Sequence, residues 1–226
     1  PGSSAHSHKL SLRTNHITKT DETEYTISDI SHNYKYKHTL KTVDLTTRLQ
    51  FSEEFTKLTV ENKYSLQTEK RGTYDLRLFG GVFLKETLNK DYHFGVVQQN
   101  DYLYELGILD REGRDAVFSK QITRTDGGHI VGIQGKSNRW ILSSNLEIPI
   151  TKKVKAFTDF SVLNNEEDIN TYLDAGIMLS IVPKRVEIYF PLFLKDLQIY
   201  TNYRSLIRFK LNLNIHDIVS DLRSQI

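Results

Sequence analysis

From Asp44 onward, apolar and polar residues alternate with a period of two in successive segments, as strands with one apolar and one polar face require. In the first segment Leu45, Thr47, Leu49 and Phe51 fall on one side and Thr46, Arg48 and Gln50 on the other. Leu58, Val60, Tyr64 and Leu66 then oppose Thr59, Glu61, Lys63 and Ser65, and the short Ser52-Glu53-Glu54 connection predicts a hairpin. A strand over Tyr74 to Leu84 carries Gly80-Gly81 in its middle, which predicts a bend, a bulge or a close backbone approach.

The polar stretch Lys85 to Asp91 leads to a predicted strand over Tyr92–Gln98, and Asn100–Asp115 is the longest expected loop. Ala116–Thr125 reads as a strand, Asp126-Gly127-Gly128 as the turn that ends it, and His129–Gln134 as its return. Alternation resumes through Trp140 to Ile150, Val154 to Val162, Leu173 to Ile181, Val186 to Phe190 and Ile207 to Ile215. Two weaker strands near Leu10–Ile17 and Ile27–His38 bring the expectation to about ten to twelve, joined mostly by hairpin-length turns.

Twelve tyrosines and eleven phenylalanines, with many Thr, Val and Ile, favour strands and make the chain all-β. Four scattered prolines and no Ser/Gly-rich tract predict one domain over residues 9–226. The start, Pro1 to His8, reads as a cloning remnant or a disordered segment. A net charge of +2 from 30 basic and 28 acidic residues mixed along the chain does not point to nucleic acid. Without cysteine, disulfides and thiolate chemistry are excluded. No apolar run of about 18 residues exists, so a spanning helix is excluded while spanning strands are not.

The same alternation suits two architectures. A soluble sandwich or barrel turns the apolar face inward, whereas a transmembrane up-and-down β-barrel turns it toward lipid around a polar lumen. Arg77, Lys155, Asp159, Asp174, Glu187, Arg208 and Lys210 occupy mid-strand polar positions and are the candidate lumen charges, expected to pair with one another rather than to catalyse. Aromatics near strand ends, among them Tyr74, Tyr92, Trp140, Tyr172, Tyr189 and Tyr203, and the lack of a second buried layer favour the transmembrane barrel. The soluble β-sandwich is the alternative.

No HExxH zinc motif occurs, and no spacing unites a nucleophile, a histidine and an acid. His6 and His8 are neighbours at the terminus, and His32, His38, His93, His129 and His216 read as polar-face or loop histidines. Asp126-Gly127-Gly128 lacks the Lys-Ser/Thr and the helix of a phosphate loop, so it is read as a turn. Asp101, Tyr102, Tyr104, Asp110, Arg111 and Arg114 form the candidate functional loop. Neither cofactor nor metal is expected.

Tyr74-Asp75-Leu76-Arg77-Leu78-Phe79-Gly80-Gly81-Val82-Phe83-Leu84 and the blocks that follow carry a resemblance. These blocks are Asn100-Asp101-Tyr102-Leu103-Tyr104, Gln121 to Thr125 with Asp126-Gly127-Gly128, Asn138-Arg139-Trp140 with Ser144-Asn145-Leu146, Leu173-Asp174-Ala175-Gly176, and Val186 to Leu192. In this order, over roughly Asp29 to Asp217, the chain resembles the C-terminal β-region of Bacteroidota outer-membrane proteins that carry an upstream gluzincin aminopeptidase-like domain. It departs from them at His129, where an aromatic is usual, and in its short Lys195–Ser205 connection. The resemblance implies a non-catalytic outer-membrane barrel that anchors or scaffolds a peptidase-like domain or partner complex in the lipid bilayer. The soluble alternative would be a periplasmic domain that packs on a peptidase and aids peptide recognition.

Overall fold

The computed structural model describes residues 4–18, 24–85, 92–97, 102–103, 105, 120–131, 135–165, 168–182, 185–195 and 203–211. Ten strands form one antiparallel sheet: β1 (Ala5–Thr18), β2 (Glu24–Lys37), β3 (Lys41–Phe51), β4 (Thr56–Thr68), β5 (Gly72–Lys85), β8 (Trp140–Pro149), β9 (Val154–Asn165), β10 (Asp168–Val182), β11 (Val186–Leu194) and β12 (Arg208–Leu211). Each pairs with its sequence neighbours, except that β5 pairs directly with β8 across an insert. The insert contains a second, two-stranded sheet of β6 (Phe94–Gly95) and β7 (Lys136–Ser137). The chain is therefore all-β, as its alternation requires.

Several expectations are corrected. No ladder joins β1 to β12 among the described residues, so the sheet is open rather than closed into a barrel. β1 begins at Ala5, within the stretch read as a remnant or disordered start, because Ala5 to His8 pair with Lys37 to Tyr34 of β2. The strand expected over Tyr92–Gln98 shrinks to Phe94–Gly95. Lys120 to Thr125 and His129 to Val131 form no strand beyond one bridge from Gln121 to Phe209, although Asp126-Gly127-Gly128 does turn. Asp126 and Gly128 take positive φ there, 46° and 65°.

The faces of the sheet are unlike. One face presents large apolar side chains outward, with Leu12 74%, Leu142 58%, Ile181 51% and Phe160 45% exposed. The other buries Arg77, Asn145, Asp159 and Asp174, which form one cross-strand row from β5 to β10. Against this polar face packs the insert, which supplies the second layer that the alternation alone does not reveal. Its Tyr92, Phe94, Val96 and Tyr102 join Ile27, Phe55, Phe79, Phe83, Ile141 and Leu163 in one apolar cluster. Ile122, Ile130 and Val131 join Phe157, Met178, Tyr189, Leu194 and Leu206 in another. Since the insert touches strands from β2 (Tyr25 to the Tyr102 carbonyl, 2.6 Å) to β12 (Ile122 N–H to the Phe209 carbonyl, 2.9 Å), the sheet wraps around it. Gly81 permits the approach expected of the Gly-Gly pair, because a Cβ there would lie 2.6 Å from Phe94 Cζ.

Candidate functional site

Parity along the strands brings the polar side chains to one place. With alternate residues facing the insert, Arg77, Asn145, Asp159 and Asp174 become direct neighbours across β5, β8, β9 and β10. Buried polar atoms need partners, and the carbonyls of the Asp126-Gly127-Gly128 turn supply them. Arg77 Nη1 donates to the Asp126 carbonyl and to Asn145 Oδ1, each at 2.8 Å. Asn145 Nδ2 donates to the Gly127 carbonyl and to Asp159 Oδ1, each at 3.0 Å, and the Ser143 hydroxyl reaches the Asp126 carbonyl at 3.1 Å. A side chain on Gly127 would collide with the backbone of Val96, lying 2.8 Å from its Cα, so the turn can be seated only by glycine.

Arg124, from the insert, ties the turn to the sheet. It donates to Asp159 Oδ1 at 2.5 Å, to Glu147 Oε1 at 3.3 Å and to the Gly128 carbonyl at 3.0 Å. Burial works against its charge, but the Asp159 and Glu147 carboxylates prevail and hold its pKa well above the ordinary value. Burial raises the Asp126 carboxyl above its usual range, opposed by the charge of Lys57 and by the Gly95 N–H, which donates to Oδ2 at 3.0 Å.

His129 brings a further group together. Its Nε2 lies 2.8 Å from Ser161 Oγ and its Nδ1 lies 3.0 Å from Asp174 Oδ1, without hydrogen-bond geometry at the second contact. Asp174 Oδ2 accepts the N–H groups of Ile130 and Val131 at 3.2 and 3.4 Å. In outline this is a nucleophile, a base and an acid. Ser161 and Asp174 are 0% exposed and His129 1%, so the serine presents no surface to a substrate. The group acts as a clasp between insert and sheet.

Of the candidate lumen charges, Arg77, Asp159, Asp174 and Glu187 are buried on the insert-facing side, and Lys155 and Lys210 lie beside them. The pairing is not the one expected. Asp159 meets Arg124, Asp174 approaches His129, and Arg77 Nε donates to Glu61 at 2.5 Å. Lys155 bridges Asp75 and Glu147, and only Glu187 finds an expected partner, Lys210 at 3.3 Å. Arg208 shares the face of Tyr189 and donates to the Ser205 and Ile207 carbonyls. In the candidate functional loop, Asp101, Tyr104, Asp110, Arg111 and Arg114 lie outside the described residues. Tyr102 is buried and donates to Gln50 Oε1 at 2.9 Å.

No family model, curated protein or solved structure matches this chain. Among the described residues no group of three or more His, Asp or Glu is arranged to hold a metal ion, and no helix is long and apolar enough to cross a membrane. The latter leaves strands that cross a membrane untouched.

Proposed function

We infer that this chain is a membrane-embedded β-sheet scaffold, without catalysis of its own, whose apolar face meets lipid and whose polar face is filled by the insert. The observation that carries this reading is the exposed apolar face of the sheet, which lies opposite an interior that buries charges beside its two apolar clusters. Leu12, Leu142, Phe160 and Ile181 stand exposed on one face while Asp159, Ser161 and Asp174 are wholly buried on the other. Water disfavours so much exposed apolar surface, whereas hydrocarbon accepts it and requires charges to face inward in pairs. Lipid also forbids free sheet edges. The reading therefore has the open edges at β1 and β12 covered in the bilayer by further strands. Its biological task, by the resemblance of its motifs, is to anchor a peptidase-like domain or partner complex at an outer membrane.

The test is fractionation of the native protein with a carbonate wash, combined with a heat-modifiability gel. Retention in the membrane with a heat-dependent mobility shift is the expected result. Release into the soluble fraction without a shift would leave a soluble β domain that packs on a peptidase.

A further inference from the structure

The short turns at one end of the sheet, β2–β3, β4–β5 and β8–β9, carry Lys37, Lys41, Lys70, Arg71, Lys152 and Lys153, all exposed. Glu69 is the one acidic residue within these turns. The turns abut one another. Gln67 N–H donates to the Leu40 carbonyl at 2.7 Å, a Cβ on Gly72 would lie 3.8 Å from Lys152 Cα, and Ser180 N–H reaches the Lys153 carbonyl at 2.7 Å. The cations thus form a continuous rim rather than separate loops. The opposite end carries both signs, with Glu24, Glu53, Glu54 and Asp168 beside Lys85 and Lys195, and Lys85 bonds the Glu53 carbonyl.

A second observation places this rim beside the apolar belt. On the outward face, just inside the turns, Tyr36, Val43, Tyr64 and Leu76 form one cross-strand row, with Tyr74 opposite Leu66 next to it. Lys41 Nζ sits 5.6 Å over the Tyr36 ring. Amphipathic tyrosines followed outward by ammonium groups match the order in which a leaflet presents its acyl boundary and its phosphates. We propose that this rim binds the phosphate groups of anionic phospholipids, fixing the depth and orientation of the sheet in the bilayer. The proposal rests on the membrane reading and adds to it a lipid preference.

The chain, purified in detergent, would be reconstituted into phosphatidylcholine vesicles with and without roughly one third phosphatidylglycerol, and the inserted fraction measured by flotation at low and high salt. The expected outcome is incorporation into both, about tenfold more favourable with phosphatidylglycerol, with the preference reduced by salt. The combined variant Lys70→Glu, Arg71→Glu, Lys152→Glu and Lys153→Glu alters only exposed side chains, and it should lose the preference while keeping insertion into the neutral vesicles. Equal insertion of the wild type into both vesicles, or an undiminished preference in the variant, would overturn the rim proposal and leave the membrane reading standing. Failure to insert into either vesicle would overturn both.

Discussion

Arg77 uses a single nitrogen, Nη1, to hold Asn145 Oδ1 and the Asp126 carbonyl, each at 2.8 Å, so a strand arginine and a strand asparagine grip the insert turn together. The two residues are 68 positions apart in the chain and directly opposite across β5 and β8. Replacing Arg77 by Met breaks a buried pair with Glu61 and leaves the Asp126 carbonyl with the Ser143 hydroxyl alone, at a cost of about 3 kcal/mol. Asn145→Leu leaves the Gly127 carbonyl and Asp159 short of a donor, at about 1–3 kcal/mol. Because they share partners, the double variant should cost less than the two singles combined, read from urea unfolding in detergent.

Gly127 faces the backbone of Val96, where a Cβ would have no room. Gly127→Ala should displace the turn from its seat. The chain has no cysteine of its own, so Val96→Cys gives a clean reporter at a side chain with 0% exposure. Maleimide labelling of that cysteine should be slow in an otherwise unchanged chain and fast with Gly127→Ala. Equal rates would show that the turn does not hold the insert in place.

Lys57 is 1% exposed, and its Nζ makes no hydrogen bond among the described residues. It lies 4.3 Å over the Phe94 ring, with Phe83 and Tyr102 at 5.6 Å. Desolvated ring contacts contribute about 2 kcal/mol, less than the several kcal/mol that burial of an unpaired ammonium costs. Lys57→Met should therefore raise the unfolding midpoint. A fall would mean that the rings and the nearby Asp126 outweigh desolvation.

Protonation of Asp126 should favour the seated turn. Burial, against the pull of Lys57 and the Gly95 N–H, lifts the folded Asp126 pKa above its ordinary 3.8. The carboxyl's contribution to stability is then complete below 3.8 and is lost as pH rises through the higher folded value. Asp126→Asn keeps an acceptor for the Gly95 N–H and should remove that part of the slope. Unfolding midpoints of both proteins, followed between about pH 3 and pH 7, check it.

The single tryptophan, Trp140, stands on the outward face at the start of β8, opposite Val82 and Asn164. After reconstitution, brominated lipid should quench its emission, and bromine near the headgroups should quench more than bromine at the acyl ends. Emission unaffected by either position would argue against a lipid-facing β8.

The strands were legible because a half-buried strand states its face at every second residue. The runs around Leu45–Phe51 and Leu173–Ile181 fall in β3 and β10 as the alternation requires. That parity also put Arg77, Asn145 and Asp159 on one side. What it could not convey is that residues around Tyr92 and Ile130 fill the space on that side. Their side chains meet the sheet from several directions and so carry no period. The partners of Asp159 and Asp174 come from this aperiodic segment, as Arg124 and His129, and sequence distance gives no hint of them. Asp126-Gly127-Gly128 has the composition of an exposed hairpin turn, yet its free carbonyls are what the buried Arg77 and Asn145 require.

The direct ladder between β5 and β8 makes residues 86–139 an excursion that leaves and rejoins the sheet at adjacent strands. Closing such an excursion costs only about 0.6 kcal/mol more for each doubling of its length. The segment between Lys85 and Trp140 is thus a cassette. Its described residues decide what fills the sheet, through the two apolar clusters and the turn gripped by Arg77 and Asn145, while the strand order on either side of it is set by the β5–β8 ladder.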